Sequence, residues 1–137
     1  MLIAEIKQYR QHRSLDANAY MWVLADKIAE VIRSTKEEVY RKAIKDVGKF
    51  TIVPISNDEV ESWIRDWERD GIGWFCEIMG DSKLPGYTNI ISYHGSSSYD
   101  TKRMARLIDW IVEEAKELDI ETATPDQLAL MKEDWGK

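Results

Sequence analysis

Residues 73–94 read GWFCEIMGDSKLPGYTNIISYH and contain two apolar runs separated by turn-forming residues. In the first run, residues 73–79, successive side chains alternate between two faces, as they do in a β-strand. One face carries Trp74, Cys76 and Ile78, and the other carries Phe75, Glu77 and Met79. The return run is residues 87–94, and the segment between the runs is rich in residues that favour turns. This pattern predicts an antiparallel β-hairpin.

Two helices are predicted before Gly48, because apolar residues recur there every three or four positions. Ser14 precedes the first helix, whose apolar face carries Leu15, Ala19, Trp22, Ala25, Ala29 and Ile32. Thr35 and Glu38 have the spacing of a capping box, in which each side chain bonds to the other residue's backbone N–H group. We therefore expect a second helix that begins after Thr35 and ends near Gly48.

A short strand and a third helix are predicted between Gly48 and the hairpin. Residues 50–54 are apolar, and Pro54 favours an edge strand or an extended link because proline donates no hydrogen bond to a sheet. Ser56 and Glu59 have the spacing of a second capping box, which would begin a helix that ends at Gly71. The apolar face of this acidic helix carries Val60, Trp63, Ile64 and Trp67.

Two more helices are predicted after the hairpin. Residues 95–99 read as a flexible polar loop, and Asp100 or Thr101 then caps a helix. Thr124 precedes Pro125 at the first position of a final helix, where proline is well tolerated. The apolar residues of these two helices are Met104, Leu107, Ile108, Ile111, Val112 and Leu118, then Leu128, Met131 and Trp135.

The predicted fold class is α+β, with helices packed on a small, mostly antiparallel sheet that has a central hairpin and C-terminal helices. Residues 2–7 alternate as in a short first strand, and residues 9–13 form a polar, basic connector. A chain of 137 residues suits a single domain, which we place at residues 1–137.

The composition excludes several classes of protein. Cys76 is the one cysteine and there are two histidines, which excludes a disulfide framework and a Cys/His zinc cluster. No apolar stretch approaches the roughly 18 residues of a membrane span. Met1–Glu5 carries an acid early, unlike a signal peptide. We therefore expect a cytoplasmic protein without a membrane partner, a cofactor or a metal ion.

The net charge of −6 is unevenly distributed along the chain. Residues 1–50 contain ten Lys or Arg and seven Asp or Glu, and residues 82–108 contain four and one, so each block carries +3. Residues 51–81 contain two basic and eight acidic residues, and residues 109–137 contain three and nine, so each block carries −6. Binding to an acidic polymer is therefore expected only at the basic blocks, with the acidic helices facing away from it or toward a partner protein.

Both basic blocks contain aromatic residues, and single-stranded nucleic acid binds such surfaces through cations on phosphates and rings on bases. The first group is Lys7, Tyr9, Arg10, His12 and Arg13, and the second is Tyr87, Tyr93, His94, Tyr99, Lys102, Arg103 and Arg106. Lys102 and Arg106 are four residues apart and share a helical face. The first turn of their helix also offers backbone N–H groups to a phosphate. The same residues equally fit a polar loop with tyrosines half-buried at the sheet ends.

The residues alone leave two other functions open. A metal-dependent nuclease acting on DNA would use a histidine and carboxylates, such as Asp16, His94 and Asp100, although no metal-binding spacing is present. Cys76 and His94 could pair across the hairpin as a nucleophile and its base, although the apolar neighbours of Cys76 favour a buried, inert thiol. A protein-interaction adaptor would instead use the acidic helices and exposed tryptophans.

Six tryptophans are a high number for this length. Trp22, Trp63 and Trp110 fall on apolar helical faces and are predicted to lie in the core. The remaining three are candidates for a subunit contact, where aromatic residues are enriched; they are Trp67, Trp74 and Trp135.

The segment Arg13-Ser14-Leu15-Asp16-Ala17-Asn18, followed by Trp22, resembles the NinB family of phage recombination proteins, the Orf recombination mediators of lambdoid phages. That family has R-S-L-D-Q-N here, after a strand and a basic stretch. Ser97-Ser98 with the helix that follows, and the final helix up to Trp135-Gly136, occur in the family's order. Ala17 replaces the family's glutamine, and residues 50–95 align poorly with the family.

The resemblance implies a non-enzymatic homodimer that binds single-stranded DNA without sequence preference. Such proteins act in the bacterial host cell and assist recombinase loading together with the host single-strand-binding protein. Arg13, Ser14, Asp16 and Asn18 match the family's motif. Combined with the two basic groups, this gives the predicted DNA-binding residues, which are Lys7, Tyr9, Arg10, Arg13, Asn18, Tyr93, His94, Tyr99, Lys102, Arg103 and Arg106.

Overall fold

A computed structural model describes residues 13–134 of the chain, and the side chains of residues 17–130. Five α-helices in this range pack on a three-stranded antiparallel sheet, as the α+β prediction requires. The helices are α1 (Arg13–Ile32), α2 (Lys36–Val47), α3 (Val60–Glu68), α4 (Thr101–Glu117) and α5 (Pro125–Asp134). The strands are β1 (Phe50–Ser56), β2 (Phe75–Asp81) and β3 (Tyr87–Tyr93). The strand and connector predicted at residues 2–12 lie outside the described residues.

The sheet has the order β1-β3-β2, so that the return strand of the hairpin is central. Phe50 of β1 and Phe75 of β2 both pair with Tyr93 of β3. The hairpin prediction is therefore confirmed, and residues 50–54 belong to an edge strand. Pro54 is accommodated on this edge strand, where a residue without an N–H group is tolerated.

The main core lies between one face of the sheet and helices α1, α2, α4 and α5. Helix residues such as Leu24, Ile44 and Leu107 are 0–1% exposed and belong to one apolar cluster with Phe75 and Tyr93 of the sheet. Burial of such side chains supplies most of the free energy that stabilises a fold of this kind. The helices thus hold one end of the sheet, where β3 leads into the predicted loop at residues 95–99.

Helix α3 packs on the opposite face of the sheet through two indole groups. The Trp63 Nε1–H group donates to Ser92 Oγ at 3.0 Å, and the Trp67 Nε1–H group donates to the Tyr93 carbonyl oxygen at 2.7 Å. Ser92 and Ile90 are fully buried between α3 and the strands. Both tryptophans therefore attach α3 to β3.

The helix caps were predicted with mixed success. The Thr35 hydroxyl accepts a hydrogen bond from the Glu38 N–H group at 3.2 Å, which confirms Thr35 as the cap of α2. Ser56 makes no such bond, and the second capping box is wrong, because the chain first forms a 3₁₀ turn at Asn57–Glu59. Asn57 instead bonds to the hairpin, since its side-chain oxygen accepts from the Thr88 hydroxyl at 2.6 Å. The described part of α1 includes both Arg13 and Ser14, so Ser14 lies within the helix and not before it.

The segment predicted as a flexible loop is a 3₁₀ turn, Ser96–Ser98, that is bonded to the core. Ser96 is 4% exposed, and its hydroxyl lies 2.6 Å from the hydroxyl oxygen of Tyr40 in α2. The Ser96 N–H group also donates to the Tyr40 hydroxyl oxygen at 3.0 Å. These bonds fix the path of the chain between β3 and α4. No helix in the described part of the chain is long and apolar enough to span a membrane.

Candidate functional site

His94 lies directly after β3 and is in contact with two indole rings. Its ring centroid is 5.1 Å from that of Trp67, in an edge-on arrangement, and 5.3 Å from that of Trp74. The His94 Nε2 atom is 2.9 Å from Thr51 Oγ1 of β1. His94 is half-buried, so part of this aromatic surface is accessible to solvent.

Trp74 is held against the backbone that follows His94. Its ring centroid is 5.6 Å from that of Trp67, again edge-on. A Cβ atom added at Gly95 would collide with the Trp74 indole, so the absence of a side chain at Gly95 allows the indole to lie there. The three rings and Gly95 form a compact aromatic cluster at one end of the sheet.

Two basic residues lie near this cluster. Burial lowers the pKa of His94, and the positive charges of Lys49 and Arg103 lower it further. Lys49 is exposed, and its carbonyl oxygen accepts a hydrogen bond from the His94 N–H group at 2.9 Å. The Arg103 guanidinium carbon lies 6.0 Å from the Tyr99 ring centroid. We call Lys49, Trp67, Trp74, His94 and Arg103 the aromatic–basic site.

Tyr93 and Tyr99 were predicted to stack on bases, but both side chains are buried, at 7% and 6% exposure. The Tyr93 hydroxyl donates to Glu77 Oε1 at 2.9 Å, and the Tyr99 hydroxyl donates to the His94 carbonyl oxygen at 2.7 Å. Burial raises the pKa of each hydroxyl to about 12. Neither ring presents a face to solvent, and Tyr99 instead positions the backbone at His94.

The beginning of α4 is less suited to bind a phosphate than the sequence predicted. The Asp100 carboxylate accepts a hydrogen bond from the Arg103 N–H group at 2.8 Å and caps the helix. A phosphate at this helix end would therefore meet a carboxylate, which disfavours the anion site proposed there. Lys102 and Arg106 are exposed on α4, near Arg103 in the chain.

The first predicted group is almost entirely outside the described residues. Lys7, Tyr9 and Arg10 precede the first described residue. Arg13 begins α1, but its side chain is not among those described, and Asn18 is half-buried on the same helix. Whether the two basic groups share one face therefore stays a prediction.

The described residues do not bring the proposed nuclease side chains together. Among them, no three His, Cys, Asp or Glu side chains converge as a metal site would require. Asp100 caps α4, His94 contacts Thr51 and the indoles, and the Asp16 side chain is outside the described range. The Cys76 thiol donates to Ser92 Oγ at 3.5 Å, and burial raises its pKa.

The sequence did not identify Lys49, Thr51 or Trp67 as neighbours of His94. Each reaches His94 through contacts between distant segments, because β1 pairs with β3 and α3 packs across the sheet. The sequence offers one local signal next to Lys49, which is Gly48. The Tyr99 hydroxyl lies where a side chain at this position would be.

Comparisons of the chain with protein-family models, with curated proteins and with solved structures found no match.

Proposed function

We propose that this protein binds single-stranded DNA without sequence preference, and that the aromatic–basic site is part of the binding surface. The observation that carries the proposal is that two basic residues lie near His94, which contacts the indoles of Trp67 and Trp74. The Lys49 carbonyl bonds to the His94 N–H group, and Arg103 lies against Tyr99, whose hydroxyl bonds to the His94 carbonyl. Cations with adjacent aromatic rings are what a single strand requires, since phosphates and unpaired bases alternate along it.

The role of each residue of the site follows from its position and its chemistry. Lys49 and Arg103 neutralise phosphates, and the released counterions make the affinity depend on salt. The half-buried indoles offer apolar surface to bases without reading their edges, which accounts for the lack of sequence preference. Lys102 and Arg106, exposed on α4, extend the positive surface along the strand.

The resemblance of residues 13–18 to the NinB family supports the finer parts of the proposal. These are a role as a phage recombination mediator in the bacterial cytoplasm, cooperation with the host single-strand-binding protein in recombinase loading, and a homodimeric state. The exposed apolar side chains of β1, Phe50 at 53% and Ile52 at 47%, are compatible with a subunit contact. Sedimentation equilibrium tests the dimer, and a mass that stays at 16.0 kDa across micromolar concentrations contradicts it.

The binding test uses fluorescence anisotropy with a labelled thirty-nucleotide oligo(dT) at a series of salt concentrations. We expect the double variant Lys49→Ala/Arg103→Ala to bind more weakly and to lower the salt slope by about 1–1.5, since each lost phosphate contact contributes about 0.7. The matched control is Lys83→Ala/Lys116→Ala, which removes the same charge from the hairpin turn and from the far end of α4. Arg10→Ala/Arg13→Ala tests the first basic group in the same assay.

Two results would contradict the proposal. One is the absence of measurable binding by the unaltered protein at low salt, and the other is an equal loss in the control variant. Incubation of the pure protein with labelled DNA and Mg²⁺ or Mn²⁺ tests the nuclease alternative. Cleavage that disappears in His94→Ala would replace the binding function with an enzymatic one.

A further inference from the structure

Trp74 differs from the other tryptophans near the sheet in the hydrogen bonding of its indole N–H group. The indole N–H groups of Trp63, Trp67 and Trp110 donate to Ser92, to the Tyr93 carbonyl and to Asp46. The Trp74 N–H group has no acceptor among the described residues. Its side chain is half-buried, so part of it is accessible to a ligand, while Nε1 is the indole atom that lies nearest to Gly95.

The surroundings of Trp74 hold the ring in one place. Trp67 and His94 contact it at centroid distances of 5.6 and 5.3 Å, and Gly95 lies directly against it. Trp22 also has no acceptor among the described residues, but its ring packs against Tyr40 and the helical core. Trp74 instead lies beside His94, whose backbone bonds to Lys49 and to Tyr99, the ring that Arg103 lies against. A fixed aromatic ring next to phosphate-binding cations loses little side-chain entropy when a base stacks on it.

From this arrangement we infer that Trp74 is the specificity-determining residue that makes the site select single-stranded over duplex DNA. The inference rests on the proposed function. An unpaired base has a free face to stack on Trp74, whereas a base in a duplex is already stacked on both sides. Phosphates are present in both forms, so Lys49 and Arg103 contribute to binding either one. Selection therefore depends on the ring and not on the charges.

The test compares Trp74→Ala with the unaltered protein, using a single-stranded oligonucleotide and a duplex of equal length. We expect the single-strand affinity to fall about 5- to 100-fold, the range for loss of one stacked base, while the duplex affinity stays unchanged. Trp74→Phe should retain an intermediate affinity for the single strand. Trp110→Phe is the matched control, because it replaces an indole on the middle of α4 and should leave both affinities unchanged.

The outcomes separate this inference from the proposed function. If Trp74→Ala binds both DNA forms as the unaltered protein does, or loses both equally, the inference is overturned. The proposed function survives that result if Lys49→Ala/Arg103→Ala still weakens binding. If the unaltered protein binds neither form, the function and the inference both fail.

A second measurement does not depend on how the variants fold. An oligonucleotide that contains 5-iodouracil is bound to the unaltered protein, and the complex is irradiated. The cross-linked peptide is then identified by mass spectrometry. Stacking on Trp74 predicts a cross-link in the peptide that contains it. Cross-links confined to other aromatic residues would overturn the inference.

Discussion

At the scale of single residues, burial decides which aromatic groups can contact a ligand. Tyr99 follows a glycine- and serine-rich segment and reads as an exposed loop residue, yet its hydroxyl bonds to the His94 carbonyl and its ring is covered. A Tyr hydroxyl that finds acceptors inside the fold can be buried at little cost. Trp74 has no such acceptor among the described residues and stays half-exposed.

The state of His94 makes the stability of the fold depend on pH. Burial and two nearby cations lower its pKa below the ordinary histidine value of 6.5, so protonation is harder in the folded state than in the unfolded state. The unfolded chain then binds more protons below pH 6.5, and linkage requires stability to fall as the pH falls through that value. We expect a lower melting temperature at pH 5.5 than at pH 7.5, measured by thermal denaturation.

The control for this effect is His94→Gln, whose side chain can still bond to Thr51 but does not titrate. Both proteins should carry His12→Gln, since His12 is the other histidine of the chain. Glu77 does not interfere, because the Lys45 ammonium that bonds to it lowers its pKa, and its contribution is lost only near or below pH 4.5. An equal pH effect in the presence and absence of His94 would contradict the prediction.

At the scale of elements, the residue that follows α1 has a backbone conformation that side chains other than glycine disfavour. Arg33 has φ of 58°, in the left-handed region, and the Ser34 N–H group closes the helix end by donating to the Ala29 carbonyl at 2.9 Å. Glycine avoids the steric cost of this conformation but has more freedom to lose on folding. We expect Arg33→Gly to stabilise the protein by about 0.5–1 kcal/mol in urea denaturation.

Arg33→Ala is the matched variant, because it removes the same charged side chain and keeps the Cβ atom that clashes. It should show no gain in stability. If the two variants are equally stable, the backbone conformation of Arg33 does not carry the predicted cost.

The helices and the hairpin were predictable because their signals are local. The Thr35 cap, the apolar face of α4 and the turn between β2 and β3 each depend on residues a few positions apart. Ser56 shows where such signals fail: it matches a capping box, but Asn57 bonds to Thr88 and a 3₁₀ turn forms instead. The site was only partly predictable, since Lys49 and Trp67 meet His94 through pairing and packing between distant segments.

At the scale of the whole molecule, acidic α3 lies beside the aromatic–basic site. The expectation that the acidic helices face away from DNA or toward a partner protein stays a prediction. Trp67 belongs to α3 and contacts His94. The solvent-exposed acidic residues of this region include Glu68 and Asp70, close to Trp67 in the chain. Under the proposed function, their negative charge would oppose a phosphate backbone on this side and favour a path of the strand toward α4.

The last prediction follows from this arrangement of charge. Glu68→Gln/Asp70→Asn should tighten the binding of single-stranded DNA at low salt, because it removes repulsion within a few residues of Trp67. The gain should disappear near 1 M salt, where the screening length falls to about 3 Å. Anisotropy titrations at several salt concentrations measure both effects.

The matched control is Glu117→Gln/Glu121→Gln, which changes the net charge by the same amount. Glu117 ends α4, about 20 Å along the helix from Arg103 at 1.5 Å per residue. At about 0.1 M salt the screening length of about 10 Å leaves little influence over that distance, so at this salt the variant should bind as the unaltered protein does. An equal gain in both variants would show that DNA responds to the net charge alone, and that α3 does not direct the strand.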